Sequence, residues 1–231
     1  MKKLIIIYSL LFFGVANSQS IKYGATANFH KGSTVGIHDR SRGNFGLGIG
    51  AFADFSLVTN DIYDSAWLYF TPQLEFSMEG ESGEVWSGQD RQKYNNYYMA
   101  VPLYIKYFIK NKGYKSDIYL MFGPKLEFLI SNKVDESQAI ATALGKGYLP
   151  NTPENLGGNY SKTLSTIGLD NKIATFGYGL SLVAGVKVDT KWDVFLRFDR
   201  GLSKVYPDYS KYNTYNRFLA IGVNYYIGET N

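Results

Sequence analysis

Two histidines, His30 and His38, are the side chains of this 231-residue sequence best suited to move protons near neutral pH. His30 closes the alternating run IKYGATANFH, and Asp39 or Glu79 would be the carboxylate that orients it as a general base. A hydrolase built that way would act on lipid or peptide at the rim of its fold. No nucleophile motif accompanies either histidine, so His30 reads as a residue at a strand end and His38 as a loop residue. The stretch EGESGEVWSGQD gathers Glu79, Glu81, Glu84 and Asp90. Their spacing fits no calcium loop, and the stretch reads as a solvated acidic loop. The chain has no cysteine, which excludes disulfides, thiolate metal sites and a lipidated N-terminal cysteine. None of these patterns asks for a cofactor or a metal.

A second set of charges sits in a different context. Glu75, Lys106, Lys125, Glu127, Arg197 and Asp199 all alternate with apolar residues. In WLYFTPQLEFSM the even positions Leu68, Phe70, Leu74 and Phe76 are apolar, while Glu75 shares its side with Gln73 and Ser77. Successive side chains of a strand point to opposite faces, so this is a two-sided strand. The pattern recurs in eight segments, at 21–30, 45–57, 67–78, 97–109, 117–130, 173–188, 192–199 and 218–227. The polar face also carries many of the 24 glycines, Gly46, Gly48, Gly50, Gly177 and Gly179 among them, and large rings such as Tyr104 and Tyr119. A wet sheet surface has little use for so much glycine, which weakens strands and marks close packing. The polar face therefore reads as the packed interior of a narrow barrel and the apolar face as its lipid-facing wall. The expected fold is all-β, an eight-stranded antiparallel up-and-down transmembrane β-barrel. Its interior is just wide enough for side chains to fill, so the six charges are expected to form a neutralised plug, not a conduction path.

The connections fit that topology. Those after the second, fourth and sixth segments are short, and those at 31–43, 79–96, 131–172 and 203–217 are long. Long loops on one rim and short turns on the other are the habit of outer-membrane barrels, whose long loops face outside the cell. In 131–172 the piece AIATALG suggests a short helix. The start MKKLIIIYSLLFFGVANSQS has a basic beginning, an apolar stretch too short to span a bilayer and a small-x-small site. It reads as a signal peptide over 1–18, with the barrel domain over 19–231. Losing Lys2 and Lys3 takes the net charge from +4 to +2, too weak to suggest nucleic acid.

Expected partners are outer-membrane lipid and lipopolysaccharide, whose phosphates Lys31, Arg40 and Arg42 would meet at the outer rim, and other envelope proteins. A monomer is favoured. Tyr206, Tyr209, Tyr212 and Tyr215, in VYPDYSKYNTYNR, resemble an adaptable recognition surface. Tyr94, Tyr97 and Tyr98, in KYNNYY, share that character, and both groups also fit the aromatic girdles that barrels place at their interfaces. Pro72, Pro102 and Pro124 fall inside strands, where each removes a ladder donor, so bulges or missing ladder bonds are expected there. Two soluble or catalytic alternatives use the same residues differently. A lipocalin-like barrel would turn the Leu and Phe face inward around an apolar ligand, and a lipid-modifying barrel enzyme would work through His30.

The stretches TPQLEFSMEGE, YYMAVPLYIKYFI, YLMFGPKLEFLIS, FLRFDRGLSKV and AIGVNYYI together resemble the PorT-like outer-membrane β-barrel family of Bacteroidetes-type bacteria. A proline recurs in the first three of these strands in that family. The resemblance spans roughly the whole chain after residue 18 and implies an eight-stranded barrel in the outer membrane. It implies no defined activity, although the namesake is linked to protein export.

Overall fold

The computed structural model describes residues 20–35, 42–60, 65–86, 90–111, 114–135, 173–207 and 213–230. Eight antiparallel strands follow one another in chain order: β1 Ile21–Val35, β2 Arg42–Asn60, β3 Ser65–Trp86, β4 Asp90–Asn111, β5 Tyr114–Asp135, β6 Phe176–Lys187, β7 Trp192–Gly201 and β8 Tyr215–Thr230. Each pairs with the next, and β1 pairs with β8, so the sheet closes on itself. Closure leaves no free edge within the ring, which hydrocarbon could not satisfy.

The register fixes the shape. Asp193 faces Asn224, Asn224 faces Thr26, Thr26 faces Gly50, and the row continues through Glu75, Ala100, Glu127 and Gly177. Extending the β6–β7 register from Gly179↔Gly201 returns the row to β7 at Ser203, ten residues from its start. A stagger of ten residues over eight strands, at about 3.3 Å rise and about 4.8 Å spacing, tilts the strands by about 40°. The same geometry gives a radius of about 8 Å, enough for inward side chains to meet at the axis.

The alternation read from the sequence sets the faces. Leu47, Ile49, Leu74, Phe122, Leu182, Leu196, Leu219 and Ile221 are exposed on the outer wall, and Glu75, Tyr104, Lys106, Tyr119, Lys125 and Arg197 are buried in the lumen. Aromatic pairs ring the wall. Phe29–Phe45 stack at 5.3 Å, and Phe76–Tyr97 at 6.1 Å, toward the long-loop rim; Trp192–Tyr225 meet at 4.7 Å toward the short-turn rim. Tyr97 is thus a wall residue, whereas Tyr98 turns inward and is buried.

Two expectations about connections are corrected. The segment 79–96 is not a long loop: β3 continues to Trp86 and β4 starts at Asp90. Likewise β1 runs to Val35 and β2 begins at Arg42, leaving only 36–41 between them. The three 22-residue strands β3, β4 and β5 rise about 55 Å along the axis, roughly twice the apolar band of such a barrel. Beyond the band both faces of a hairpin are wet, so the apolar alternation that marks a strand fades while the ladder continues. The piece AIATALG lies outside the described residues.

The prolines remove ladder partners without bulging the strands. Between Pro72↔Leu103 and Glu75↔Ala100 two rungs of β3–β4 are missing, yet the register is unchanged. Between Pro102↔Lys125 and Ile105↔Phe122 the same holds for β4–β5. The bulges fall elsewhere, as at Tyr97/Tyr98. At the second gap the strands crowd together: a Cβ on Gly123 would lie 1.8 Å from the Leu103 carbonyl oxygen. Gly123→Ala should therefore destabilise the refolded barrel by about 1–3 kcal/mol, read as a lower urea midpoint. Gly177→Ala, whose nearest neighbour would be the movable Ser203 hydroxyl at 3.1 Å, should be far milder. Equal midpoints for the two variants would show that the gap tolerates a side chain.

Candidate functional site

The lumen holds the charges, and strand alternation is what gathers them. β3 supplies Glu75 and Glu79, β4 Lys106, β5 Lys125 and Glu127, β7 Asp193, Arg197 and Asp199, and β2 Asp54, each on the inward side. They fall into three tiers along the axis. Nearest the short-turn rim, Lys106 Nζ donates to Asp54 Oδ2 at 3.0 Å, Asp193 Oδ2 at 3.3 Å and the Tyr226 hydroxyl at 2.6 Å. The Tyr226 hydroxyl in turn lies 2.9 Å from each of the two carboxylates and donates its one proton between them. The ammonium also sits 4.3 Å from the centre of the Tyr119 ring, a cation–π contact in a desolvated place.

The middle tier is a fork. Arg197 Nη1 and Nη2 donate to Glu75 Oε2 at 2.6 Å and Oε1 at 2.8 Å, the bidentate geometry that makes such pairs strong. Asn28 Nδ2 adds a bond to Glu75 Oε1 at 3.2 Å. In the upper tier Lys125 Nζ lies 2.7 Å from Glu79, 2.6 Å from Glu127 and 3.0 Å from Asp199. It also caps the Phe218 ring at 4.1 Å.

All six charges expected in the lumen lie there; Glu75, Lys125, Glu127, Arg197 and Asp199 are linked to one another, whereas Lys106 pairs with Asp54 and Asp193. What the sequence reading missed is the balance. Among the described residues six buried carboxylates, Asp54, Glu75, Glu79, Glu127, Asp193 and Asp199, face three buried Lys and Arg cations. The carboxylates therefore share cations instead of pairing one to one. Neutral donors complete the shells: Thr71 donates to Asp54 at 2.6 Å, Ser181 to Asp199 at 2.5 Å and Ser77 to Glu79 at 3.4 Å. Among the described residues, no group of His, Asp and Glu is arranged to hold a metal ion. Where three carboxylates do converge, the Lys125 ammonium occupies the place a cation would take.

Two sequence assignments change sides. Glu79 is not in a solvated loop; it is buried against Lys125, because the strand continues past it in phase with Glu75. Glu81, Glu84 and Asp90 have no described side chains. His30 is not a rim residue but a lumen residue, 1 % exposed, since even positions of β1 point inward. Its Nε2 donates to the Met78 carbonyl at 2.6 Å, and its Nδ1 lies 2.9 Å from Asn28 Oδ1. Gly46 makes room for it, as a Cβ there would lie 2.5 Å from Nε2. His38 and Asp39 lie outside the described residues.

The rims differ. At the short-turn rim a vestibule of about 330 Å³ opens between Lys22, Lys187, Lys191 and Glu229 and ends on Tyr69, Phe108 and Tyr226. Lys22 pairs with Glu229 at 3.5 Å, and Ser20 also donates to that carboxylate. At the long-loop rim the segment after β7 folds back: Val205 N donates to Thr214 O at 2.8 Å, and Val205 O accepts from Ala174 N at 2.8 Å. This places Tyr206 fully inside, so its ring is packing material and not a presented surface. Tyr215 is half-buried opposite Val35, and Tyr209 and Tyr212 lie outside the described residues. Lys31 points outward near this rim, whereas Arg40 and the side chain of Arg42 are outside the described set. Arg200 and Arg217, absent from the sequence reading, stand beside Lys31 on the same wall.

A family model described as outer membrane protein beta-barrel domain matches residues 17–207. No curated protein matches the chain in sequence. Among solved structures, Neisserial surface protein A is similar at 11% identity and a TM-score of 0.43, over 90% of this chain and 99% of that one. The attachment invasion locus protein of Yersinia pestis is similar at 9% identity and a TM-score of 0.41, over 91% and 99%. The outer membrane protein OprG of Pseudomonas aeruginosa gives 9% identity and 0.36, over 90% and 95%. These are likenesses of barrel outline alone.

Proposed function

The chain belongs to the outer membrane protein β-barrel domain family, and from that premise we propose that it is a non-enzymatic structural or interaction protein with a sealed lumen. One observation carries this reading: the lumen is blocked by the three tiers of ion pairs, with Arg197, Lys106, Lys125, Tyr104 and Tyr119 all under 2 % exposed. Its working surface is then the outer rim, where the β3–β4–β5 extensions stand clear of the bilayer. The segment 1–18 serves as the export signal. A hydrolytic role for His30 is disfavoured by burial and by the engagement of both ring nitrogens. Membership of the PorT-like branch is part of the proposal, supported by Pro72, Pro102 and Pro124 on three consecutive strands. A link to protein export would follow from that branch and rests on it alone.

The test is electrical. Reconstituted in a planar bilayer, the barrel should pass no steady current beyond brief flickers. Stable openings in the nanosiemens range would overturn the sealed lumen. Recovery of the protein from the soluble periplasm would overturn the membrane reading in favour of a lipocalin-like binder.

A further inference from the structure

The outer wall carries a cluster of cations that nothing among the described residues balances. Arg200 on β7 and Arg217 on β8 are direct cross-strand partners, both pointing away from the lumen. Ser33 of β1 lies opposite Arg217 on its other side, and Lys31 lies two residues further along β1. None of the three cations has an ion-pair partner among the described residues, in contrast to every cation of the lumen. Like charges directly opposite each other in a sheet are destabilising, and two arginines on a lipid-facing wall add desolvation to that repulsion.

Their height is informative. Trp192 and Tyr225 mark the short-turn edge of the apolar band. Arg200 is eight residues beyond Trp192, about 20 Å higher along an axis tilted by about 40° to the strand. Against an apolar band of about 25 Å, this puts the guanidinium groups at the outer headgroup boundary. Immediately below them Phe198, Leu219 and Phe29 present apolar surface. A surface groove of about 490 Å³ runs between Lys31 and Arg217, lined also by Ser33, Gly43, Phe198, Phe218 and Leu219, with Arg200 beside Arg217 on the neighbouring strand. Lys31 is laid across Gly43, where a Cβ would meet its Cγ at 2.9 Å, and its ammonium lies 5.7 Å from the centre of the Phe45 ring.

We propose that Lys31, Arg200 and Arg217 form a binding site for the phosphate of a phosphorylated glycolipid in the outer leaflet, with its acyl chains lying along Phe198 and Leu219. Arginine forks match phosphate oxygens in pairs, and a phosphate between Arg200 and Arg217 converts their repulsion into a bridge. The lysine contributes a third, movable donor. The groove supplies the apolar bed that a soluble phosphate would not need. This site rests on the outer-membrane reading, which fractionation tests by itself.

Purified barrel in detergent is titrated with diphosphoryl lipid A, its dephosphorylated form, phosphatidylglycerol and inorganic phosphate, with bound lipid counted by native mass spectrometry. Diphosphoryl lipid A should be retained, and R200Q/R217Q should weaken its retention at least tenfold. R200K/R217K should keep part of it, and K191Q, at the opposite rim, all of it. Heat-modifiable migration checks that each variant is folded. The site is refuted if the folded double glutamine variant binds as the wild type does. It is equally refuted if the dephosphorylated form binds as well, if phosphatidylglycerol binds as tightly, or if inorganic phosphate alone displaces the glycolipid. A wild type found in the outer membrane that retains no glycolipid refutes the site and leaves the barrel reading standing.

Discussion

Arg197→Met should destabilise the barrel by about 3–5 kcal/mol, the largest loss expected of any single lumen substitution. Glu75 is fully buried, and without the guanidinium it keeps one neutral donor, Asn28 at 3.2 Å. Asp199 also loses the Arg197 Nε, which lies 3.4 Å away. The penalty is that of stranding charge, not that of losing attraction, so removing both partners should recover most of it. Urea unfolding in lipid vesicles checks this with Glu75→Leu, Arg197→Met and the double variant. A single variant that unfolds with the wild-type midpoint, or a double variant worse than either single, contradicts the fork as the central tie of the plug. Should Arg197→Met fail to fold, Glu75→Gln gives the same cycle in a milder form.

Leu196→Arg should cost about 2–4 kcal/mol, because Leu196 lies on the lipid side halfway between Trp192 and Arg200, near the bilayer midplane. The same change at Phe198, one step nearer the rim, should cost less, since an arginine there can reach the headgroups. The gradient is the diagnostic. A soluble barrel with its apolar face turned inward would show no dependence on height, and its inward arginine would be buried at both places. Equal penalties at Leu196 and Phe198 would therefore speak against a lipid-facing wall.

Much of this was legible because a barrel in lipid writes itself in a period of two. Leu74 against Glu75, and Leu196 against Arg197, set the two faces of β3 and β7 once the side facing lipid is chosen. The six lumen charges followed from that choice. Partner identity did not, because it depends on stagger: Lys125 meets Glu79, 46 residues away, only through the tilt of the strands. The surplus of carboxyl groups over cations stayed hidden for a related reason. Glu79 sits where the outer face turns polar, so apolar alternation no longer marked it as a strand residue. His30 was misjudged because the end of an apolar run was taken for the end of a strand, and β1 goes on to Val35. Arg200 and Arg217 were invisible as a pair, since adjacency across β7 and β8 is a fact of register and not of sequence.

The pairing of β1 with β8 has a consequence for how the molecule comes into being. Ile21 finds its second neighbour only at Thr230, near the far end of the chain. Until Tyr215 to Thr230 arrives, any partial sheet carries two unsatisfied borders that acyl chains cannot hydrate. In lipid the seam must therefore be shielded until β8 arrives or be the last pairing to form, because a sheet that stops at β7 leaves both borders open.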